Sequence, residues 1–207
     1  METLETGIEV LDRRLGGGVP AGSIVALLAP PSSSAELLLY ELTNEHPTVY
    51  LSTIRTEAAV RDALRATPAQ TGDARVIELH GGEVLDRANR AIGQLGEGQT
   101  LIIDPADSLE ECASNRYVSF LNDLQTQLQN TRGYAVLNCL GGDQTPENRR
   151  LTLHAADIVF DLETEVRGST LVTRMFVPKN RGGRAVTEEI KLELVDHVAI
   201  DTSRDIA

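Results

Sequence analysis

The sequence has no tryptophan, only 3% aromatic residues and two lysines, Lys179 and Lys191. Its two cysteines, Cys112 and Cys139, show no Cys-x-x-Cys spacing, so a disulfide framework is not expected. No apolar run approaches the ~20 residues that a membrane-spanning helix needs. Residues 1–6 also lack the basic and then apolar order of a signal peptide. We therefore expect a cytoplasmic protein with reduced thiols and no membrane partner.

Acidic residues outnumber basic ones by 31 to 19, which gives a net charge of −12 dispersed along the chain. Dispersed carboxylates, scarce lysine and few aromatics are typical of proteins from a high-salt cytoplasm, as in halophilic archaea; an acidic protein of an ordinary cytoplasm is the alternative. The negative field repels nucleic acid at low salt, so we do not expect a nucleic-acid partner.

Apolar runs of strand length alternate with helix-period segments, a pattern that predicts one α/β domain over residues 1–207 with a mostly parallel sheet covered by helices. The predicted strands in this part are 23–28, 48–53, 74–79, 100–104 and 134–139. The predicted helices are 34–44, 57–66, 83–95 and 107–131.

The last predicted helix places Val118, Leu121, Leu124 and Leu128 on one side, as an apolar stripe for the core. After residue 155 the predicted strands are 158–162, 169–177 and 185–194, and the last two form an antiparallel hairpin at the sheet edge. Gly168 and residues 181–183 are predicted turns. Residues from about 198 to 207 are a candidate tail.

One segment has the position of a phosphate-binding loop without the residues of one. It follows the strand 23–28 and precedes the helix 34–44, which is the setting of the motif G-x-x-x-x-G-K-[ST]. The segment reads Ala29, Pro30, Pro31, Ser32, Ser33, Ser34, Ala35, Glu36. The prolines remove two backbone N–H donors from a loop whose function is to present them to phosphate.

Asp104 ends the apolar strand 100–104, where phosphoryl-transfer folds place the aspartate that holds Mg²⁺. A buried strand that ends in aspartate is common, so this signal is weak alone. The four histidines are scattered without the spacing of metal ligands, and we expect no metal site.

The segment Thr6-Gly-Ile-Glu-Val-Leu-Asp-Arg-Arg-Leu-Gly-Gly-Gly-Val-Pro-Ala-Gly-Ser23 resembles the entry segment of the RecA superfamily, particularly of its circadian-clock KaiC-like ATPases. Val177-Pro-Lys-Asn-Arg-Gly-Gly183 is similar to that family's V-x-K-x-R-G segment. With Asp104 between them, the resemblance covers nearly the whole chain. It implies a RecA-like P-loop NTPase core with an antiparallel C-terminal hairpin.

Active members of that family bind ATP between subunits, and the resemblance maps their parts onto this chain unevenly. The phosphate-loop lysine falls at Ala35, the Mg²⁺-binding hydroxyl at Glu36 and the paired glutamates at Ile54 and Arg55. The general base or water-positioning carboxylate is therefore missing as well. The resemblance thus implies no catalytic residues here, and we expect neither bound ATP nor Mg²⁺.

Lys179 and Arg181 stand where the family keeps basic residues that reach into a neighbouring subunit. Two interpretations are open: solvated loop charges beside a Gly-Gly turn, or fingers that act in trans on an active paralogue. In RecA-like recombinases the loop after the fifth strand binds single-stranded DNA. Residues 141–150 take that position here without an aromatic to stack a base, and we interpret Arg149–Arg150 as a helix-end charge pair.

The preferred function from the sequence is a pseudo-ATPase that works through protein contacts in signalling or regulation, with an active paralogue or a self-oligomer as its context. The alternatives are an ATP-binding or weakly active KaiC-like ATPase, and a DNA-repair accessory similar to recombinase paralogues.

Overall fold

The computed structural model describes residues 2–142, 145–167, 170–181, 183, 186–194 and 198–200. The chain begins with a small sheet and one short helix, followed by alternating strands and helices and then a run of strands. In chain order the elements are β1 Thr3–Leu4, α1 Glu9–Leu15, β2 Val19–Pro20, β3 Ile24–Ala29, α2 Ala35–Glu41, β4 Thr48–Ser52, α3 Glu57–Ala66, β5 Ala74–Glu78, α4 Val84–Ile92, β6 Thr100–Asp104, α5 Asp107–Glu110, α6 Ser114–Thr131, β7 Tyr134–Leu140, α7 Arg149–Ala155, β8 Ile158–Arg167, β9 Thr170–Asn180, β10 Ile190–Leu194 and β11 Val198–Ile200.

The central sheet has nine strands in the order β11-β10-β9-β8-β3-β7-β6-β4-β5. The strands from β8 to β5 are mutually parallel, whereas β9, β10 and β11 join by antiparallel pairing. The predicted fold class, a mostly parallel sheet with an antiparallel C-terminal hairpin, is confirmed. Because parallel strands end on the same side, β3, β4, β6 and β7 all end at one edge, which we call the carboxyl edge.

Helices cover both faces of this sheet, so successive residues of a central strand are buried on opposite sides. In β6, Ile102 packs in the apolar cluster that includes α2 and α3. Its neighbours Leu101 and Ile103 pack in the cluster that includes α4, α5 and α6. This two-sided burial explains why the strands read as continuous apolar runs. Among the described residues, no helix has both the length and the apolarity to cross a bilayer.

The predicted helix 107–131 is wrong as a single element, because the chain forms α5 and α6 with a break between them. The Asn148 amide explains the break: its Nδ2 donates to the carbonyl oxygens of Glu110 (2.8 Å) and Cys112 (2.7 Å). Those carbonyls would otherwise accept bonds within a continuous helix.

The apolar stripe on α6 is confirmed for Leu121, Leu124 and Leu128 but wrong for Val118, which is 40% exposed. The fully buried Tyr117 and Phe120 take its place.

At the C-terminal end, Val198–Ile200 pairs with β10 as an edge strand, so the tail predicted from about residue 198 is wrong for these three residues. Residues 201–207 and the predicted turn glycines Gly168 and Gly182 lie outside the described residues.

Candidate functional site

The loop 29–36, which lacks the glycines and the lysine of the phosphate-binding motif and which we call the degenerate loop, lies at the carboxyl edge, between β3 and α2. This is the strand–loop–helix setting that the sequence predicts. Hydrogen bonds between its own residues hold the loop closed. The Ser33 backbone N–H donates to the Pro30 carbonyl oxygen over 2.9 Å, and the Ser33 hydroxyl donates to the same oxygen over 2.7 Å. Ser33 is buried as a result.

This closure matters because phosphate is held mainly by backbone N–H groups that point into a loop. Pro30 and Pro31 have no N–H, and the N–H of Ser33 is already bonded within the loop. Exposed Glu36, in the first turn of α2, adds a carboxylate where a phosphate would need a cation. The residues present therefore do not fit ATP and its Mg²⁺ in the family's manner.

Asp104, at the end of β6, already has a hydrogen-bond donor on each carboxylate oxygen. Tyr50 Oη donates to Oδ2 over 2.5 Å, and Asn138 Nδ2 donates to Oδ1 over 2.7 Å. Burial, reinforced by the nearby Asp104 charge, raises the pKa of Tyr50 well above its ordinary value. Tyr50 thus remains a donor at neutral pH, and both oxygens of Asp104 have a hydrogen-bond donor within the protein itself.

Arg55 supplies a positive charge next to this pair, from the position of a family glutamate. Its guanidinium donates to Tyr40 Oη over 2.6 Å and to the Ala59 carbonyl over 3.1 Å. The rings of Tyr40 and Tyr50 lie 6.5 Å apart between centroids, which joins Arg55 to the Asp104 group. Ile54, at the other glutamate position, is 62% exposed.

The unsatisfied polar atom beside Asp104 is an acceptor. Asn138 is 5% exposed, and its Oδ1 has no hydrogen-bond partner among the described residues. Phosphate oxygens are acceptors at neutral pH, so they could not satisfy this atom. The local polarity argues against a phosphate group at this point.

Lys179 and Arg181 do not lie near the degenerate loop of their own chain. Lys179 pairs with Val159 and Val159 with Ala26, in the first half of β3, whereas the loop follows the other end of that strand. The sheet therefore separates these cations from the loop.

Both cations bond the C-terminal carbonyls of α7. Lys179 Nζ donates to Leu153 O over 2.8 Å and to His154 O over 3.0 Å, and Arg181 Nη2 donates to His154 O over 3.1 Å. Arg181 also pairs with Asp157 at 3.4 Å. Burial and the neighbouring Arg181 lower the pKa of Lys179. Cations at a helix C-terminus stabilise that end.

Sequence reasoning missed a buried polar network built around Arg149. Arg149 Nε donates to both oxygens of Glu110, at 2.8 and 3.0 Å, and its Nη2 donates to Asp107 over 2.9 Å. Glu110 is fully buried and also accepts from the Thr152 hydroxyl. Arg149 and Arg150 are the first two residues of α7, so the expected place at a helix end is confirmed, but Arg149 is buried in ion pairs and only Arg150 is exposed.

This network joins α5 to α7 and, through a 2.8 Å bond from Arg149 to the Leu140 carbonyl, to the end of β7. Burial raises the pKa of Glu110, while Thr152 and Arg149 oppose that shift. No sequence signal could have found the network, because its members lie in separate segments. In the described part of the chain, no three His, Cys, Asp or Glu side chains lie close enough together to hold a metal ion.

Comparison with solved structures finds this fold in a KaiC-like protein from the hyperthermophilic archaeon Pyrococcus horikoshii OT3. The TM-score is 0.77 at 15% sequence identity, over 96% of this chain and 98% of that chain. At such low identity the likeness shows a KaiC-like, RecA-type fold and nothing further. A search of curated proteins returns no match. A family model described as a family of unknown function (DUF7125) matches residues 3–207, and the chain therefore belongs to that family.

Proposed function

We propose that this protein is a cytoplasmic, non-catalytic KaiC-like protein, a pseudo-ATPase that acts through protein–protein contacts in signalling or regulation. The observation that carries the proposal is the state of Asp104, whose two carboxylate oxygens are bonded by Tyr50 and Asn138. In a working site this carboxylate would serve the metal. Here its hydrogen bonds stabilise the folded protein instead.

Several losses point the same way. The loop lacks its lysine and hydroxyl, offers fewer backbone donors and carries Glu36. Removal of a single preorganised stabilising group commonly costs about 10²–10³ in rate. With the glutamate positions taken by Ile54 and Arg55 as well, turnover should fall to background.

The partner in this proposal is another protein, either an active paralogue or a second copy of this chain. A second copy would present the same degenerate loop, so Lys179 and Arg181 would have a catalytic use only beside an active paralogue. To act there they would have to leave the carbonyls of Leu153 and His154.

That use is tested by the ATPase rate of a candidate paralogue mixed with wild-type protein or with the Lys179→Ala/Arg181→Ala variant. If the paralogue's ATPase rate is lower with the variant than with the wild-type protein, that result supports action in trans, provided that the circular dichroism spectrum shows the variant folded. An unchanged rate removes the trans role.

The main test is thermal unfolding with and without millimolar Mg-ATP. A ligand at 100–1,000 times its Kd stabilises the native state by about 2.7–4.1 kcal/mol, so a nucleotide binder would melt several degrees higher. We expect no such shift. Magnesium sulfate at the same ionic strength is the control, because a chain with a net charge of −12 gains stability from salt alone.

A saturable rise in melting temperature that is specific to ATP would instead support an ATP-binding or weakly active KaiC-like ATPase. Binding of single-stranded DNA at the working salt concentration would support the DNA-repair accessory. Either result would overturn the proposal.

A further inference from the structure

A cleft of about 480 Å³ opens between the start of α6 and the start of α7. Its volume falls within the range of about 300–1,000 Å³ that is common for small-molecule sites. We call it the α6–α7 cleft, and its lining consists of Ser114, Asn115, Val118, Glu147, Asn148, Arg150 and Leu151. It lies on the sheet face that α4, α5 and α6 cover, whereas the degenerate loop leads into α2 on the other face.

Asn148 supplies a fixed acceptor to this cleft. The residue is 2% exposed, and its Nδ2 donates to the carbonyls of Glu110 and Cys112. Both donor hydrogens of the amide are therefore used. Its Oδ1 accepts no hydrogen bond in the described part of the chain and is not enclosed by protein, so it opens into the cleft. A ligand that fits this atom has to bring an N–H or O–H donor.

Glu147 and Arg150 bring one charge of each sign to the cleft. Both are exposed. Among the ion pairs that the described residues form, none includes either side chain. Because the two charges balance, the cleft favours neither a simple anion nor a simple cation. It favours a ligand that carries both charges.

The start of α6 adds donors beside the Asn148 acceptor. The first N–H groups of a helix have no partner within it, and a side chain commonly caps one of them. Ala113 holds the N-cap position of α6 without a side-chain bond, and the N–H groups of Ser114 and Asn115 donate to no described residue. Asn148 bonds the carbonyl of Cys112, two residues before Ser114, which places these donors close to it.

The aliphatic part of the cleft comes from Val118 and Leu151. Val118, in the second turn of α6, is 40% exposed, and Leu151 of α7 is half-buried. An aliphatic group in the cleft would cover both side chains, which is favourable in proportion to the apolar area removed from water.

We infer that the α6–α7 cleft binds a small zwitterion with an aliphatic side chain, that is, an aliphatic α-amino acid such as leucine. The ammonium group donates to Asn148 Oδ1 and pairs with Glu147. The carboxylate accepts from Arg150 and from the first N–H groups of α6. The side chain covers Val118 and Leu151. The inference goes beyond the proposed function, since the cleft is separate from the degenerate loop and does not depend on whether ATP binds.

The test is isothermal titration calorimetry of the full-length protein with L-leucine, L-isoleucine and L-valine at about 0.15 M salt. We expect a Kd below about 1 mM for at least one of them. Leucinamide lacks the carboxylate and 4-methylpentanoate lacks the ammonium group, so each should bind at least about tenfold more weakly than leucine. N-Acetyl-leucine methylamide lacks both charges and represents an internal residue of a peptide. It should bind no better than either of the other two analogues.

Two variants locate the binding site. Glu147→Gln and Arg150→Gln each remove one charge at an exposed position, and each should raise the Kd for leucine at least about tenfold. Arg150→Gln should also bind leucine and leucinamide with nearly equal Kd, because the partner of the carboxylate is gone. The matched control is Arg65→Gln, which removes an exposed arginine of α3 that pairs with Asp62. It should leave the Kd unchanged within about twofold.

Amide hydrogen exchange gives a readout that charge alone would not move. Bound leucine should slow exchange at the N–H groups of Ser114 and Asn115, because its carboxylate accepts from them.

Three outcomes would overturn the inference. The first is the absence of saturable heat with all three amino acids up to about 10 mM. The second is binding that Glu147→Gln and Arg150→Gln both leave unchanged. The third is equal binding of leucine and N-acetyl-leucine methylamide, which would assign the cleft to a segment of a partner protein. None of these depends on nucleotide binding, so failure here and failure of the pseudo-ATPase proposal are distinguishable.

Discussion

Replacing Asp104 with alanine should destabilise this protein, which is the opposite of what a working nucleotide site predicts. The substitution removes the acceptor of the buried Tyr50 hydroxyl (2.5 Å) and of Asn138 Nδ2 (2.7 Å). A hydrogen bond to a charged group contributes about 1.5–3 kcal/mol. Because Asp104 is half-buried, water can replace part of the lost hydrogen bonding. We therefore expect the free energy of unfolding to fall by about 3 kcal/mol, which is the lower end of the range for two such bonds.

The assay is urea unfolding followed by far-ultraviolet circular dichroism, since the chain has no tryptophan for fluorescence. Asp123→Ala, at an exposed position of α6, is the control and should change stability by less than about 0.5 kcal/mol. A double-mutant cycle with Tyr50→Phe should give a coupling of about 1.5–3 kcal/mol.

A carboxylate reserved for a metal gives a different result. Such groups are held at a cost to the fold, so their removal often leaves stability unchanged or raises it. If Asp104→Ala leaves stability unchanged or raises it, with no coupling to Tyr50, then the claim that Asp104 stabilises the fold through these hydrogen bonds is wrong.

Three further predictions concern stability. Arg149→Ala leaves the buried Glu110 carboxylate without its guanidinium and should lower the free energy of unfolding in urea by about 3–5 kcal/mol, whereas Arg150→Ala should change it by less than about 0.5 kcal/mol. Lys179→Met removes two bonds to the end of α7 and should lower the melting temperature in calorimetry, at a cost of about 1 kcal/mol. Burial is the main cause that raises the pKa of all four tyrosines above the ordinary value. It raises the pKa of Tyr134 to about 12. Unfolded tyrosine ionises near pH 10, so the unfolded state loses its protons first and stability should fall as the pH rises from about 10 to about 12. Native protein at pH 10 should then show little phenolate absorbance, and substantial absorbance would contradict the burial argument.

The fold was predictable because its strands are buried on both faces and bounded by clear turn signals. The strand 100–104 and the helix 57–66 appear with the predicted bounds, and Thr56 caps that helix by accepting from the Ala59 N–H. The break between α5 and α6 was not predictable, since it depends on Asn148, which lies more than thirty residues further along the chain.

The candidate site, too, has features that the sequence predicts and features that it does not. The departures from the family motif at Ala35, Glu36 and Ile54 are visible in the sequence because each falls at a fixed place in a local motif. The contacts of Asp104 are not visible in the sequence: the bonds from Tyr50 and Asn138 to Asp104 join three different strands. Side-chain partners that meet only across a sheet leave no periodic trace in one sequence.

The most direct test of the central claim is a calorimetric titration of the wild-type protein with Mg-ATP at the ionic strength of a magnesium sulfate blank. The closed loop and the satisfied Asp104 predict no saturable heat up to about 1 mM nucleotide, which corresponds to a binding free energy weaker than about −4 kcal/mol. A saturable isotherm with a Kd near 10 µM or below, about −7 kcal/mol, that Asp104→Ala abolishes would show that this edge still holds a nucleotide and its metal.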